Sequence, residues 1–411
     1  MNYPISNIRE NMLINPGESF LKDAGDRPPL GLLYLSSALN ANGISNSVHD
    51  MNHESLEDVV KAVERETPLR IGVSVYTTPN KPVAYNLMST LKKKFPNKMY
   101  FVGGHHINAA PKDFAGLSEM AVQGHGEDLL VAISTFNATV NKFDINRYPI
   151  PNRDAVANNN YDMKIEGRPS TLMTTVRGCP FDCIFCGNYD RKVKRRDEDN
   201  VKQELDEIAN KHKLQGVYFT DDSFTLNREH ASMVMKNAKE QGLVYRIATR
   251  ASLLNEDIIK EMKDTGCVYV GLGIESGNDE VLKNCNKHMT TAQNEKAVEL
   301  LGKHGISTKG FFIIGLPGET EKTAQETIEF ALKLKKKGLT DADFYPLVPY
   351  PGTKIWKDPS KYGLDIISDR ADRYIQAGNA DINPVINVRG GFNHSKIKTY
   401  LDKAKTLWNK S

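Results

Sequence analysis

Short apolar runs alternate with longer amphipathic stretches twice along the 411 residues, and this alternation limits the available folds more than any other feature. In the first series "NMLINP", "NSVHDM", "RIGVSVYT", "KMYFVGG" and "EMAVQG" read as strands. Between them "PPLGLLYLSSALNANGI", "SLEDVVKAVERE" (with Ser55 as its cap) and "VAYNLMSTLKKKF" have helical spacing of apolar residues. Such alternation demands crossover connections and a doubly wound parallel sheet, expected over residues 1–140. Ligands of these sheets bind at the carboxyl ends of the strands, which carry "NPGES", "VYTTPN" and "GGHHIN". Residues 141–168 are polar, with Pro149, Pro151 and several Asn, and read as a linker or strap. The second series places strands at "TLMTTVRG", "GVYFTDD", "VYRIATR", "VYVGLGIE", "GFFIIGLPG" and "ADFYPLVPY". Six β/α units over residues 169–355 predict a partial (β/α)6 barrel with its chemistry at the strand carboxyl ends. Residues 356–411 form a less regular C-terminal extension that ends in an amphipathic helix, "SKIKTYLDKAKTLWNK".

Composition narrows the function classes. Lys and Arg number 54 against 51 Asp and Glu, a net charge of +3, so nothing global points to nucleic acid. No apolar run approaches the roughly 20 residues that span a bilayer, and "MNYPISNIREN" lacks a signal-peptide core. Five cysteines, an odd number, with three of them crowded together, predict a reducing, cytoplasmic setting and a metal site rather than disulfides.

Those three are Cys179, Cys183 and Cys186 in "TVRGCPFDCIFCGN", spaced C-x3-C-x2-C just after the first strand of the second series. Gly178 and Pro180 make the stretch a loop, against a reading as packed core. A structural zinc needs four ligands, and His212 and Cys267 both lie away from the loop in sequence. A catalytic zinc with an open position stays open as a reading, although three thiolates from one short loop are an unusual set for it. An iron–sulfur cluster fits better. Four irons normally take four thiolates, so three leave one iron free to bind a substrate.

The loop, with aromatic Phe185 before the last cysteine, resembles the signature of the radical SAM enzymes. The resemblance implies a [4Fe-4S] cluster whose open iron binds S-adenosylmethionine, and one-electron cleavage to methionine and a 5′-deoxyadenosyl radical. It extends along the barrel. "VYFTDDSFTLN" resembles the segment that meets the methionine amino group, through Asp221 and Asp222. "GLGIESGND" resembles the ribose-binding segment, with Glu275. "FFIIGLPGET" resembles the segment beside the adenine, with Ile313 and Gly315 in matching places and Phe311 where the first glycine is usual. Arg250 and Lys287 are the candidate cations for the methionine carboxylate. Taken singly, each has a plainer reading: Asp222 as a helix cap, Arg250 as an ordinary ion pair, Lys287 as a solvated residue. The basic run "RKVKRR", 191–196, reads by default as a solvated face; the other readings are that it holds the cluster loop or favours an anionic substrate or electron donor.

The first domain is similar to the cobalamin-binding domain that precedes the barrel in one large radical SAM branch, so the resemblance covers about residues 11–355. Gly103 and Gly104 would let backbone approach the cofactor, and Ser74 places a hydroxyl within reach of its nucleotide tail. The stretch after the first strand, "NPGESFLKDAGDRPPLG", lacks the D-x-H-x-x-G histidine, which excludes a histidine cobalt ligand from that loop and leaves the lower face unligated or met by another group, with Tyr76 and Thr77 as candidates. His105 and His106, adjacent at a strand end, are expected to point opposite ways. The resemblance therefore implies a cobalamin-dependent methyltransferase acting on an unactivated carbon of a small molecule, oxygen-sensitive and served by an electron donor such as flavodoxin or ferredoxin. Radical cyclisation, oxidation or rearrangement without methyl transfer is the alternative, and a non-catalytic electron carrier the third reading. Sulfur insertion is disfavoured, because Cys267 and Cys285 are too few for a second cluster.

Overall fold

The computed structural model describes residues 9–18, 24–135, 144–188, 190–375 and 382–411. These divide into two compact units, Met1–Met163 and Lys164–Ser411.

The first unit is built on five parallel strands: β1 (Asn11–Asn15), β2 (Asn46–Asp50), β3 (Arg70–Ser74), β4 (Met99–Gly103) and β5 (Met120–Val122), in the order β2-β1-β3-β4-β5. The two-residue period of a strand splits its side chains between two cores. Met12 and Ile14 of β1 pack with Val59, Val63, Leu87 and Met88 on one face, while Leu13 packs with Leu32, Leu33 and Leu39 on the other. Gly72 is glycine because a Cβ there would enter the Phe101 ring. The helix Leu56–Glu66 starts as read, with Ser55 and Asp58 capping each other reciprocally. Residues 144–163 lie on this unit: Ser37 Oγ donates to the Ile150 carbonyl, Asn152 N to Leu33, and the Tyr161 hydroxyl to Asp50. Residues 164–168 belong to the second unit, so the stretch read as a linker is divided between the two; residues 141–143 lie outside the described residues.

One buried cluster in this unit sets a pH dependence. His49 Nδ1 lies 2.8 Å from Glu54, and Nε2 lies 3.4 Å from Glu66. Burial by itself lowers the His49 pKa, but the hydrogen bonds and charges of the two carboxylates override it and raise it to about 9. A histidine pKa raised on folding stabilises fully below about 6.5 and stops doing so as pH passes the folded value. Wild type is expected to lose up to about 3 kcal/mol between pH 6.5 and 9, at about 1.4 kcal/mol for each pH step of one. His49→Gln should flatten that slope in denaturant titrations at pH 6, 7.5 and 9; an unchanged slope would assign the pH dependence to other groups.

The second unit opens with a short hairpin, β6 (Lys164–Ile165) onto β7 (Arg168–Met173), followed by the small pair β8 (Val176–Arg177) and β9 (Lys194–Arg195). Then come β10 (Gly216–Phe219), β11 (Val244–Thr249), β12 (Cys267–Glu275), β13 (Ser307–Ile314) and β14 (Asp341–Pro346). β7 and β10–β14 are parallel and lie in chain order, with β6 antiparallel at the edge. β14 does not pair with β7, so the sheet is a curled half-barrel, as the six β/α units predict. The helices that return between strands begin at Asp197, Asn227, Asn255, Asn278, Thr290 and Thr320, whose side chains each accept a hydrogen bond from the backbone N–H three residues on. The extension forms an antiparallel pair, β15 (Leu364–Ile366) and β16 (Ile386–Val388), and the expected helix, His394–Lys410, which buries Ile397, Leu401, Ala404 and Trp408. No helix among the described residues is long and apolar enough to cross a membrane.

Candidate active site

The three cysteines sit on a loop whose neck is tied from several sides. β8 and β9 pair across it, Val176 with Arg195 and Arg177 with Lys194. Gly178 has φ +96°, and a Cβ there would lie 2.5 Å from the Lys192 carbonyl, so only glycine fits. Cys179 N donates to the Asp190 carbonyl at 3.0 Å. Asp221, just beyond the end of β10, accepts from Thr175 N (2.6 Å) and Val176 N (2.9 Å) through Oδ1 and from the Thr175 hydroxyl (2.6 Å) through Oδ2. Full burial pushes its pKa up to about 6, against those hydrogen bonds. This corrects the expectation that Asp221 meets the methionine amino group: its oxygens hold the loop. Asp222 is exposed, with one oxygen 3.2 Å from Gly178 N. It does not cap the next helix, which Asn227 does.

All five cysteines are free thiols; Cys183 is buried, and Cys179 and Cys186 are half-buried. Burial raises the thiol pKa of Cys179 and of Cys186, and the charges of Cys183 and Asp222 add to it. Arg250, beyond the end of β11, lies with Nη1 3.6 Å from the Cys183 sulfur, its guanidinium 3.9 Å from the centre of the Phe181 ring, and Nη2 bonded to the Lys287 carbonyl. It therefore braces the cysteine loop, and Nε is the nitrogen left without a partner. Among the described residues, no three Cys, His, Asp or Glu side chains gather closely enough to chelate a single metal ion. Three thiols on one loop, one of them 3.6 Å from a guanidinium nitrogen, are the donor set of an iron–sulfur cluster with an iron left open.

Glu275 ends β12 at φ +66°, left-handed backbone for a non-glycine residue, in a segment where the strand register shifts. Its carboxylate is buried and pairs with Lys287 Nζ at 2.7 Å. A Cβ on Gly273 would lie 2.6 Å from the Glu275 carboxylate and 2.9 Å from the Lys287 ammonium, so Gly273 leaves room for the pair. Two side chains expected to bind S-adenosylmethionine thus hold each other. Beside them opens a cavity of about 300 Å³ lined by Phe185, Cys186, Gly187, Glu275, Ile313, Tyr345, Leu347, Val348 and Tyr350. Four residues expected at the site, Phe185, Cys186, Glu275 and Ile313, meet there. Gly315 does not line it. Its φ is +98°, and a Cβ would lie 3.0 Å from Ile397 of the C-terminal helix, so this glycine serves a turn and the packing of the extension.

Behind that turn, Glu319 accepts from Gly315 N and Leu316 N through one oxygen, while the other has no partner. Burial pushes its pKa up to about 8. A carboxyl pKa raised on folding means the folded state keeps a proton that the unfolded chain has lost above pH 4.5, so stability falls as pH climbs from there through about 8. Glu319→Gln is expected to match wild type near pH 4.5 and to exceed it by several degrees in melting temperature at pH 9; equal losses in both proteins would remove Glu319 as the cause.

In the first unit, Ser74 closes β3 opposite Gly103. Tyr76 beyond it is 57% exposed, with its ring edge-on to His105 at 5.3 Å. Thr77, the other candidate for the lower face, hydrogen-bonds Asn80 through both its N–H and its hydroxyl. Gly104, at φ +111°, has no room for a Cβ because the Val75 carbonyl would lie 2.6 Å away. Gly103 meets only Val122 at ordinary contact distance, so it is the glycine with space before it. The two histidines lie on a short helix rather than at a strand end; His106 turns inward to Thr78 and Asp113, while His105 is exposed.

Two family models match this chain, the Radical SAM superfamily over residues 173–331 and the B12 binding domain over residues 20–134. The chain carries a radical SAM domain and, ahead of it, a B12-binding domain. It is 29% identical to an uncharacterized methyltransferase of Pyrococcus horikoshii, over 84% of this chain and 82% of the relative. It is 25% identical to the anaerobic magnesium-protoporphyrin IX monomethyl ester cyclase of Cereibacter sphaeroides, over 82% of this chain and 61% of the relative. Its fold is that of the radical S-adenosylmethionine methyltransferase TsrM from Kitasatospora setae, solved with tryptophan and a SAM analog, with TM-score 0.74 and 16% identity over 97% of this chain and 89% of that one.

Several residues of the radical SAM domain's site escaped the sequence. Tyr345, Leu347, Val348 and Tyr350 come from "DFYPLVPY", whose aromatics at the last strand end were the available signal. The loop Asn284–His288 braces the cysteine loop: Cys285 O accepts from Ile184 N (3.1 Å), and Asn286 and His288 both reach Asp182. It does so with Asn286 and His288 at positive φ (+51° and +50°), a conformation that spacing does not reveal.

Proposed function

We propose that the chain is a cobalamin-dependent radical SAM methyltransferase acting on an unactivated carbon of a small molecule, in the cytoplasm and with an external electron donor. The observation that carries this is the three-thiol loop beside a cavity walled by Phe185, Ile313 and Glu275, whose carboxylate Lys287 holds. A cluster held there supplies the electron for cleaving S-adenosylmethionine, and cobalamin on the B12-binding domain supplies a methyl carrier. Within the chain, Cys179, Cys183 and Cys186 hold the cluster, and Arg250 and Asp221 fix the loop. Glu275 and Lys287 offer an acceptor and a cation to the ribose and carboxylate, and Asp222 an acceptor to the amino group. Ser74, Tyr76 and Gly103 stand at the strand ends where the corrin and its tail are expected, with no histidine supplied by the loop after β1.

The test is product analysis on anaerobically reconstituted protein. Methyl transfer requires 5′-deoxyadenosine and S-adenosylhomocysteine to form together. The first without the second would leave a cyclase or rearranging enzyme, the reading favoured by the match to the monomethyl ester cyclase.

A further inference from the structure

We propose that the outer side of the β8–β9 hairpin and the turn leading into it, through Arg191, Lys192 and Arg195, docks an acidic one-electron carrier protein. The inference rests on the reading of the cysteine loop as a cluster site that must be reduced from outside.

The basic run divides in the structure into an inner anchor and an outer face. Arg196 is buried, paired with Glu204 and bonded to the Thr174 carbonyl and Asn200, so it pins the hairpin to the body of the domain. Lys194 is tied to Asp190. Arg191, Lys192 and Arg195 are exposed, and Arg191 and Lys192 have no ion pair among the described residues. Acidic residues follow: Asp197 caps the next helix, Glu198 receives a hydrogen bond from Asn237, and Asp199 is exposed in that helix's first turn.

Position makes this charge relevant. The backbone of residues 190–192 lies directly on that of residues 178–179, with the Asp190 carbonyl bonded to Cys179 N. The cations thus stand one strand of backbone away from a cluster ligand, and electron transfer slows steeply with distance. The chain also holds too few cysteines for an internal relay: beyond the cluster loop there are only Cys267, at the head of β12, and Cys285, just past the helix Asp279–Asn284, both buried. The electron balance needs one donor equivalent per cleavage. The carrier is oxidised by one electron, and that electron enters the breaking sulfonium C–S bond. Carrier proteins with acidic rims fit a cationic patch, which steers encounter and confers salt sensitivity.

The experiment compares full-length reconstituted wild type with R191Q/K192Q/R195Q, using purified flavodoxin as the probe. Surface plasmon resonance measures binding at 50 and 300 mM NaCl, and S-adenosylmethionine cleavage is driven in parallel by dithionite and by reduced flavodoxin. Wild type is expected to bind at 50 mM and at least tenfold more weakly at 300 mM, where charges are better screened. The variant should bind at least tenfold more weakly at 50 mM and lose flavodoxin-driven cleavage by a similar factor, with dithionite-driven cleavage unchanged. Equal binding by the two proteins, no binding by wild type, or a parallel loss with both reductants overturns the proposal. Binding needs no turnover, so wild type that binds flavodoxin but cleaves nothing with dithionite counts against the enzyme reading alone.

Discussion

Cys183→Ala is expected to give a folded protein that holds no stable cluster and yields no detectable 5′-deoxyadenosine, and the same is expected at Cys179 and Cys186. The loop should keep its shape, because most of what holds it does not depend on the thiols. Asp221 grips the backbone of Thr175 and Val176, Asp190 grips Cys179 N, and Cys285 O grips Ile184 N. What disappears is one of three ligands in a set that already leaves one iron without a protein ligand. Cys267→Ala and Cys285→Ala are the controls. Cys267 heads β12 within the core, and Cys285 bonds the loop through its carbonyl, which accepts from Ile184 N. Both should retain iron, inorganic sulfide and the low-temperature electron paramagnetic resonance signal of a reduced cluster. Loss of the cluster in either control, or its retention in Cys183→Ala, would mean that the ligand set is misassigned.

The second large effect is expected at Glu275. Removing one member of a buried ion pair strands the other, at a cost of about 3–5 kcal/mol, so Glu275→Ala should destabilise strongly by leaving Lys287 unpaired. Glu275→Gln keeps the shape and should cost less. In E275Q/K287M the stranded charge is gone, and much of the stability should return. Affinity for S-adenosylmethionine should fall in all three, because Glu275 lines the cavity and Lys287 holds its carboxylate. Recovery of stability without recovery of binding separates a ligand role from packing, and a double-mutant cycle measures the coupling. Gly273→Ala should resemble Glu275→Gln, since its methyl group would press on both partners. If the double variant bound S-adenosylmethionine as wild type does, the pair would be structural only.

The sequence exposed the architecture because periodicity encodes it directly: two strand–helix series became a five-stranded sheet and a six-unit half-barrel. The cysteine loop was legible for a similar reason, since ligand spacing within one loop is a local property. Orientation was harder to read. Asp221 and Asp222 are neighbours, and nothing in "TDD" says which turns under the loop and which faces outward. Arg250 and Lys287 were both assigned to one carboxylate, yet one braces Cys183 and Phe181 while the other pairs with Glu275. Gly104 looked like a ligand-approach glycine, but the Val75 carbonyl stands where its Cβ would be. These distinctions depend on tertiary neighbours far apart in the chain.

A half-barrel that stays open has two strand edges, and an unpaired edge invites a strand from another molecule. At one end lies β6, only two residues long. At the other, β14 carries Asp341 and Asp343, which share Lys309, and ends in Pro346, which has no N–H to offer; the C-terminal helix also packs against β14. A cleft wide enough to admit a substrate is thereby kept from becoming a seam for polymerisation, and the poorly patterned extension doubles as a guard against aggregation.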